Sequence, residues 1–511
     1  MDLSSFEHKK THPLLTYTGL VSIYIVLLTV VKLWLCQRME LSGDEAYYWV
    51  WSKHLDWCYY SKGPGIAWAI ALGTNLVGNT ELGVRWISVL LGAGTGILLY
   101  RLGTVLFSKR VAFWTVIVAS TVPLFILGSL VMTIDPLSVF FWTLAAWLFW
   151  KNRKRHGAMA WAGAGLAVGL GMLCKYTNVA ELICFALFCL WVPAYHREFR
   201  EPRFWVMIAV ALACLTPVVI WNYNYRWITL THLSQRGALD KKLHFSLMES
   251  LRFIGTQFLI FNPLLMIGLI WGLCTMSSEQ RASSHYRYLI SLFAPLLIFY
   301  IFLSLNKAGQ ANWATPSYIA GVLLLVALWL EKSGKCWLCR FTVALGFLVM
   351  VVIHVLPLVS LPQLFPEIKK DPLSRLRGAQ NLAQQVVKIQ TEQGASFIIC
   401  DNYQLASLIS FYHPDHPQTY LPKQEGIVNQ YSFFSDYTDG FWHESAIYVS
   451  RSPEIPEQLK REFKTVSLAK ETNAMYMNYP MRKHFLFRCD EFGGSPEEDI
   501  TPTPYPLEKK R

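Results

Sequence analysis

Apolar runs close to twenty residues long alternate with short polar intervals along residues 1–363. A hydrocarbon layer about 30 Å thick imposes that length on a helix that crosses it. About eleven runs meet it, at 14–36, 84–107, 112–131, 134–150, 158–174, 177–195, 204–221, 253–276, 288–305, 316–331 and 341–362. The pattern predicts an α-helical polytopic membrane protein with about eleven transmembrane helices. The first run is too long for the apolar stretch of a cleavable signal peptide, and no small-residue cleavage pattern follows it, so it reads as a span. A further run, 66–79, is shorter and stops before Glu81 and Arg85; it reads as a helix lying in the interface.

Beyond Pro362 the pattern becomes that of a soluble domain. GAQNLAQQVVKIQ carries an amphipathic helical period, while SFIIC, AIYVS and HFLFRC read as strands. The chain therefore divides into a membrane domain over 1–363, a small extracytoplasmic α/β domain over 364–492, and a Pro-rich acidic tail over 493–511 that is expected to be disordered. No internal repeat is visible, which weighs against transporters built from related halves.

Charge orients this arrangement, because Lys and Arg in short loops are retained on the cytoplasmic side. Alternate loops hold Lys109 and Arg110; Lys151, Arg153, Lys154 and Arg155; Arg197, Arg200 and Arg203; Arg281 and Arg287; and Lys332, Lys335 and Arg340. The short loops between them carry Lys175 or Lys307 alone, or no basic residue. With Lys9 and Lys10 these place the amino terminus in the cytoplasm, and an odd number of spans places the C-terminal domain on the periplasmic or extracellular face. Two long segments, 37–83 and 222–252, then also face outward, both rich in aromatic and ionisable residues.

Composition agrees: 53% of the 511 residues are hydrophobic and 16% charged, against roughly 25% charged in soluble domains. Plentiful Trp, Tyr and Phe suit many helix ends at lipid headgroups. The net charge of +12 matters through its location in the loops and gives little support to nucleic-acid binding. Cys174, Cys184, Cys189, Cys214 and Cys274 sit in apolar runs, where a thiol behaves as a small hydrophobe. Cys336 and Cys339 form a lone CxxC without the second pair a zinc site needs. Cys400 and Cys489 both fall in the C-terminal domain, where an oxidising compartment would allow them to pair.

The first outward segment opens with LSGDEAYYWVWSKHLDWCYYSKGPGIAW. Asp44 and Glu45 are adjacent carboxylates at the membrane edge. An acidic pair in a loop is most often simply solvated, but here Tyr47, Tyr48, Trp49, Trp51 and Trp57 follow, and Lys62 stands on a Gly and Pro turn. Asp135, in VMTIDPLSVFFW, falls at the short turn between the third and fourth spans. Asp before Pro is ordinary helix punctuation, with Thr133 or Asp135 as cap; a carboxylate so close to hydrocarbon nevertheless calls for a partner or a function. Lys175, in GLGMLCKYTNVAE, interrupts an apolar stretch where two spans turn. It either snorkels to water or offers a fixed cation at the depth of a lipid phosphate, as Arg85 would at the end of the second span.

Carboxylates and cations at one membrane face are what glycosyl transfer from a lipid phosphate requires. The departing phosphate gains negative charge as the glycosidic bond stretches, and preorganised Lys or Arg groups stabilise it. A carboxylate deprotonates an acceptor hydroxyl or binds a divalent cation, with Asp44 and Asp135 as the candidates for any metal.

The same residues carry a resemblance. The acidic pair Asp44 and Glu45, then YYSKGPGIAW, ELGVRW, TIDPLSVFFW, GLGMLCKYT and NWATPSY, in that order, resemble the C-type glycosyltransferase superfamily. The similarity is to its bacterial branch of lipid A aminoarabinose transferases, rhizobial core galacturonosyltransferases and protein O-mannosyltransferases. DNYQLASLISFY and NQY resemble sequences that follow the membrane part of such enzymes. The resemblance implies the C-type glycosyltransferase fold in a bacterial plasma (inner) membrane, and inverting transfer from a polyprenyl-phosphate-linked sugar donor. It implies Asp44 near the acceptor or base position, with Glu45 beside it and Asp135 supporting the acidic centre. Lys62 and Lys175 would address phosphate, and Tyr59, Arg85, Asn312 and Trp313 would line the substrate site. A divalent cation is the one cofactor left open.

The expected acceptor is lipid A, lipopolysaccharide core or another envelope glycolipid. Protein O-mannosylation uses the same donor class; a small α/β domain, unlike the β-trefoil of eukaryotic protein mannosyltransferases, favours glycolipid. A lipid-sugar flippase or transporter would hold its ionisable residues near the bilayer midplane, whereas Asp44, Asp135 and Lys175 map to helix ends. A non-enzymatic envelope scaffold is the remaining class, and the intact carboxylates weigh against it.

Overall fold

The computed structural model describes residues 14, 16–153, 157–237, 245–332, 337–368, 370–423, 426 and 428–494. Lys9, Lys10, Lys154, Arg155, Lys335, Cys336 and the tail beyond residue 494 lie outside the described residues, as does 238–244 of the second outward segment.

After α1 (Tyr17–Cys36), two short helices, α2 (Gly43–Lys53) and α3 (Gly65–Val77), precede α4 (Glu81–Leu106). The chain continues through α5 (Lys109–Ser120), α6 (Pro123–Leu130), α7 (Ile134–Asn152), α8 (Ala158–Cys174) and α9 (Ala180–Trp191). Then come α10 (Pro202–Ala213), α11 (Thr216–Asn224), α12 (Ile228–Arg236), α13 (Leu247–Phe261) and α14 (Pro263–Cys274). A single turn, α15 (Ser278–Ala282), leads into α16 (Ser284–Ser304), α17 (Tyr318–Lys332) and α18 (Trp337–Val355).

All eleven apolar runs coincide with helix, but length and composition do not return eleven spans. Among the described residues six helical stretches are long and apolar enough to cross a membrane, or eight if each of two bent pairs counts as one. The bends fall inside runs that the sequence presents as continuous: α5 and α6 meet at 72°, α13 and α14 at 104°. Pro123 and Pro263 stand at the first positions of α6 and α14, where a missing N–H costs nothing within the new helix but cuts the ladder behind it. The run at 66–79 folds as the 13-residue α3, too short to span. The chain is a multi-pass membrane protein whose packing core is aromatic: Trp142, Trp150 and Trp161 are fully buried, and Phe149 stacks on Phe185 with centroids 4.1 Å apart.

The C-terminal part is a small α/β domain. From α19 (Leu361–Leu364) the chain enters α20 (Ala379–Gln393), β1 (Phe397–Cys400), α21 (Tyr403–Tyr412), β2 (Ala446–Ser450), α22 (Glu457–Glu462), β3 (Phe463–Tyr476) and β4 (Tyr479–Phe492). The sheet order is β1-β2-β4-β3, with β1 parallel to β2 and the other pairs antiparallel. Met477 and Asn478 both take positive φ between β3 and β4, the backbone a two-residue hairpin needs to match strand twist. Leu382 and Val386 of α20 and Ile409 of α21 pack on Ile398, Val449 and Leu486. Phe397, Tyr437, Phe463 and Phe487 fill the opposite face. Cys400 and Cys489 are free thiols. They lie on β1 and β4 with β2 between them, and they face opposite layers; two strand spacings exceed the reach of a disulfide.

Candidate active site

Asp135 lies in the first turn of α7 and does not cap it. Thr133 does that, its hydroxyl accepting from the Asp135 backbone N–H at 3.3 Å. The Asp135 carboxylate is thereby free to turn inward, where the Lys175 ammonium donates to Oδ1 at 2.7 Å and the Asn312 amide donates to Oδ2 at 2.6 Å. Lys175 also donates to the Asn312 carbonyl at 2.7 Å, closing a three-residue ring. Lys175 follows the last residue of α8 in extended backbone and is 6% exposed, so it does not snorkel. Burial of this kind requires a paired charge, and Asp135 supplies it.

Lys62 comes beside this ring because of two glycines. A side chain on Gly63 would meet the Leu173 carbonyl at 2.2 Å, and one on Gly65 the Cys174 sulfur at 2.5 Å. Only glycine lets the 62–65 turn press against the residues just ahead of Lys175. Lys62, Lys175, Arg236, Asn312 and Trp313 line one cavity of about 190 Å³. Burial, then Arg236 and Lys175, push the Lys62 ammonium down to about 7, against the pull of Asp135 and Asp44. Arg236, at the end of α12, donates to the Gln310 side chain. Sequence reasoning marked its segment as rich in ionisable residues without singling it out; a lone Arg on a short polar helix has no pattern to betray it.

Asp44 stands exposed in the first turn of α2. Its Oδ1 accepts from the Gln404 side-chain amide at 2.9 Å, so the C-terminal domain touches the acidic residue directly. Tyr48, one turn on, lies within electrostatic reach of both Asp44 and Asp135. The domain is held there by further contacts. Gln430 accepts from the Tyr60 N–H at 2.7 Å and donates its own N–H to the Tyr47 hydroxyl at 2.6 Å, while Tyr403 packs on Tyr47 with centroids 4.4 Å apart.

Glu45, Arg85 and Tyr59 are built differently. Glu45 is 0% and Arg85 1% exposed. Glu45 Oε1 accepts from Arg85 Nε at 2.6 Å and from the Met132 N–H at 2.9 Å, while Oε2 accepts from Arg85 Nη2 at 2.7 Å and from the Ser42 N–H at 2.9 Å. The last bond belongs to a capping box that Ser42 and Glu45 form at the start of α2, a S-x-x-E pattern legible in the sequence. Arg85 spends its remaining donors on the carbonyls of Cys36, Met39 and Glu40, so all five N–H groups are used. Tyr59 is 0% exposed, its hydroxyl held by the His54 carbonyl and the Asp56 N–H, both at 3.1 Å. These three side chains fix the loop and α2; none of them lines the cationic cavity, and Glu45 and Arg85 line a neighbouring one.

A second, apolar cavity of about 400 Å³ adjoins the first at Asn312. Asp135, Leu124, Leu127 and Leu376 help to line it. A divalent cation would need several donors around one point. Asp44 faces Gln404, Asp135 is committed to Lys175 and Asn312, and no group of three or more His, Cys, Asp or Glu side chains gathers among the described residues. This donor set does not fit a metal.

Residues 61–221 match the family described as dolichyl-phosphate-mannose-protein mannosyltransferase. The chain is 27% identical over 363 residues to the lipid A galacturonosyltransferase RgtD of Rhizobium johnstonii, covering 70% of this chain and 75% of that protein. It is 25% identical over 322 residues to the undecaprenyl phosphate-α-4-amino-4-deoxy-L-arabinose arabinosyl transferase of Pectobacterium carotovorum, covering 58% of this chain and 53% of that one. The fold matches the crystal structure of ArnT from Cupriavidus metallidurans in the apo state, with a TM-score of 0.62 at 15% identity over 92% of this chain and 98% of that one. The same enzyme bound to undecaprenyl phosphate matches equally, at 0.62 and 14% over 93% and 98%. By sequence and by fold, the chain resembles the C-type membrane glycosyltransferases.

Proposed function

We propose that the protein is an inverting glycosyltransferase that moves a sugar from a polyprenyl-phosphate donor to an envelope glycolipid, lipid A or lipopolysaccharide core, at the outer face of a bacterial plasma membrane. The observation that carries the reading is the cavity in which Lys62, Lys175 and Arg236 converge beside Asp135. The relatives support it, since RgtD is a lipid A galacturonosyltransferase and the Pectobacterium enzyme is named for an undecaprenyl phosphate sugar. The basic short loops support an orientation with this cavity outward.

In this reading the donor phosphate sits among the three cations. As the bond from the anomeric carbon to phosphate oxygen breaks, the charge gathering on the polyprenyl phosphate is met by groups already aimed at it, in a site poor in water. Asp135 neutralises Lys175 until donor arrives and fixes its direction. Asp44, exposed and with Oδ1 held by Gln404, takes the proton of the acceptor hydroxyl as the hydroxyl oxygen attacks. The apolar cavity adjoining at Asn312 suits lipid chains.

The match over residues 61–221 favours a second reading, protein O-mannosylation. Mass spectrometry of envelope lipids and glycoproteins, with and without the protein, separates them. A sugar missing from lipid A or core supports the first; a mannose missing from proteins, with lipids unchanged, replaces it with the second.

A further inference from the structure

The C-terminal domain carries a second cationic pocket that the transfer chemistry does not use. Its volume is about 70 Å³, and it lies between the turn that holds Arg375 and Arg377, the start of α21, the end of β2 at Arg451, and Arg482 on β4. Its other wall is Leu41 and Gly43 of the membrane part, the residues leading to Asp44. Four arginines and His484 line it, and no Asp or Glu does.

The four arginines are not equally satisfied. Arg377 is buried and paired with Asp371, and Arg451 binds Asp401 at 3.2 Å. Arg375 and Arg482 have no acidic partner among the described residues. Their charges oppose each other: partial burial together with Arg451 and Arg375 holds the Arg482 guanidinium below its ordinary range. A positive pocket with two uncompensated guanidinium groups and room for one small group is matched by an oxyanion, because planar N–H forks bind phosphate and carboxylate oxygens in pairs.

Position gives the oxyanion a source. Gln404 lines this pocket and donates to Asp44. An anionic group here and a hydroxyl at Asp44 are therefore one side chain apart, a separation spanned within one saccharide headgroup. We propose that Arg375 and Arg482 form an anchoring site for a phosphate or carboxylate group on the acceptor glycolipid, distinct from the donor-phosphate cavity. The proposal rests on the glycolipid reading above and adds the acceptor's anionic character to it.

The test uses the full chain in detergent micelles, with lipid A bearing or lacking its phosphate groups as the probe, and native mass spectrometry as the readout. Arg375→Gln and Arg482→Gln break no ion pair among the described residues, and melting temperature checks that the double variant is folded. The wild type should retain the phosphorylated lipid about tenfold or more better than the dephosphorylated one, and the double variant should retain both alike. In transfer assays the double variant should raise the acceptor KM with the donor KM unchanged. Equal retention of phosphorylated lipid by wild type and double variant overturns the site. Arginine-dependent binding of inorganic phosphate with arginine-independent binding of the lipid overturns the acceptor assignment, making this a site for free phosphate. Arginine-dependent lipid binding without any sugar transfer leaves the site standing and removes the glycosyltransferase reading.

Discussion

Lys175 donates to Asp135 at 2.7 Å across 40 positions of sequence, joining the end of α8 to the start of α7, with the two side chains 6% and 9% exposed. A buried pair of this kind resists removal of one partner far more than its net contribution suggests, because the survivor is left charged and unpaired. Lys175→Ala is expected to lower stability by about 3 to 5 kcal/mol, and to cut donor use more than acceptor use. Melting of purified protein and separate donor and acceptor titrations measure the two effects. Equal losses for both substrates would remove Lys175 from the phosphate.

Asp44 contrasts with that pair. It is exposed, and Gln404 is its hydrogen-bond partner, so Asp44→Asn should leave membrane abundance and melting temperature unchanged. A general base is worth roughly 10² to 10⁴ in rate, and the variant should lose transfer by about that factor. Normal product from Asp44→Asn would take this carboxylate out of the mechanism.

Glu45 and Arg85 form a second buried pair, one tied to the loop after α1. Arg85→Met strips five hydrogen bonds, two to Glu45 and three to the carbonyls of Cys36, Met39 and Glu40, and strands a carboxylate that is 0% exposed. Folded yield should collapse while any surviving protein keeps its KM for both substrates. Arg85→Lys should not rescue it, since an ammonium has three donors and no planar fork. A folded Arg85→Met protein with a raised donor KM would return Arg85 to the substrate site.

Lys62 should impose a pH limb. Its ammonium titrates near 7, so the charged form is present below that value and is lost as pH rises through it. Donor kcat/KM, which reports the free enzyme, should therefore fall above about pH 7. The limb should fade in kcat, because bound phosphate holds the proton on. Lys62→Arg does not titrate in this range and should flatten the profile even where its absolute rate is lower. A limb of unchanged midpoint in Lys62→Arg would assign it to another group.

Much of this was legible in the chain, and the parts that were not share a cause. Period and run length located every apolar helix but not the breaks at Pro123 and Pro263, since a run counts apolar residues and does not register a lost hydrogen bond. β3 escaped notice because most of its side chains are solvent-facing or half-buried, leaving little alternation to read. Asp135, Lys175 and Lys62 announced themselves as polar residues in apolar or turn-forming surroundings, whereas Asn312 entered only through the resemblance. Glu45 and Asp44, adjacent in sequence, looked equivalent. The helix turns them about 100° apart, one into Arg85 and one into solvent, and only the capping pattern beginning at Ser42 hinted at the difference. Arg236 and the arginines of the C-terminal pocket converge from distant segments, which no local pattern encodes.

Glu40 links that C-terminal domain to the membrane part, its Oε2 accepting from the Ala379 N–H at 2.7 Å at the start of α20. Burial raises its carboxyl from 4.5 to about 7, against the backbone N–H groups that favour the charged form. The folded value exceeds the unfolded one, so between pH 4.5 and 7 the native state binds more protons than the unfolded chain. Stability contributed by this group is therefore complete below about pH 4.5, declines as pH rises, and reaches its floor above about 7. Glu40→Gln keeps an oxygen for the Ala379 N–H and has nothing to titrate. Its melting temperature should match the wild type near pH 4.5, exceed it increasingly up to about pH 7 and hold a constant margin above that, as followed by tryptophan fluorescence of the purified protein. A difference that does not change with pH would mean that the Glu40 carboxyl is ionised throughout and that the docked domain does not desolvate it.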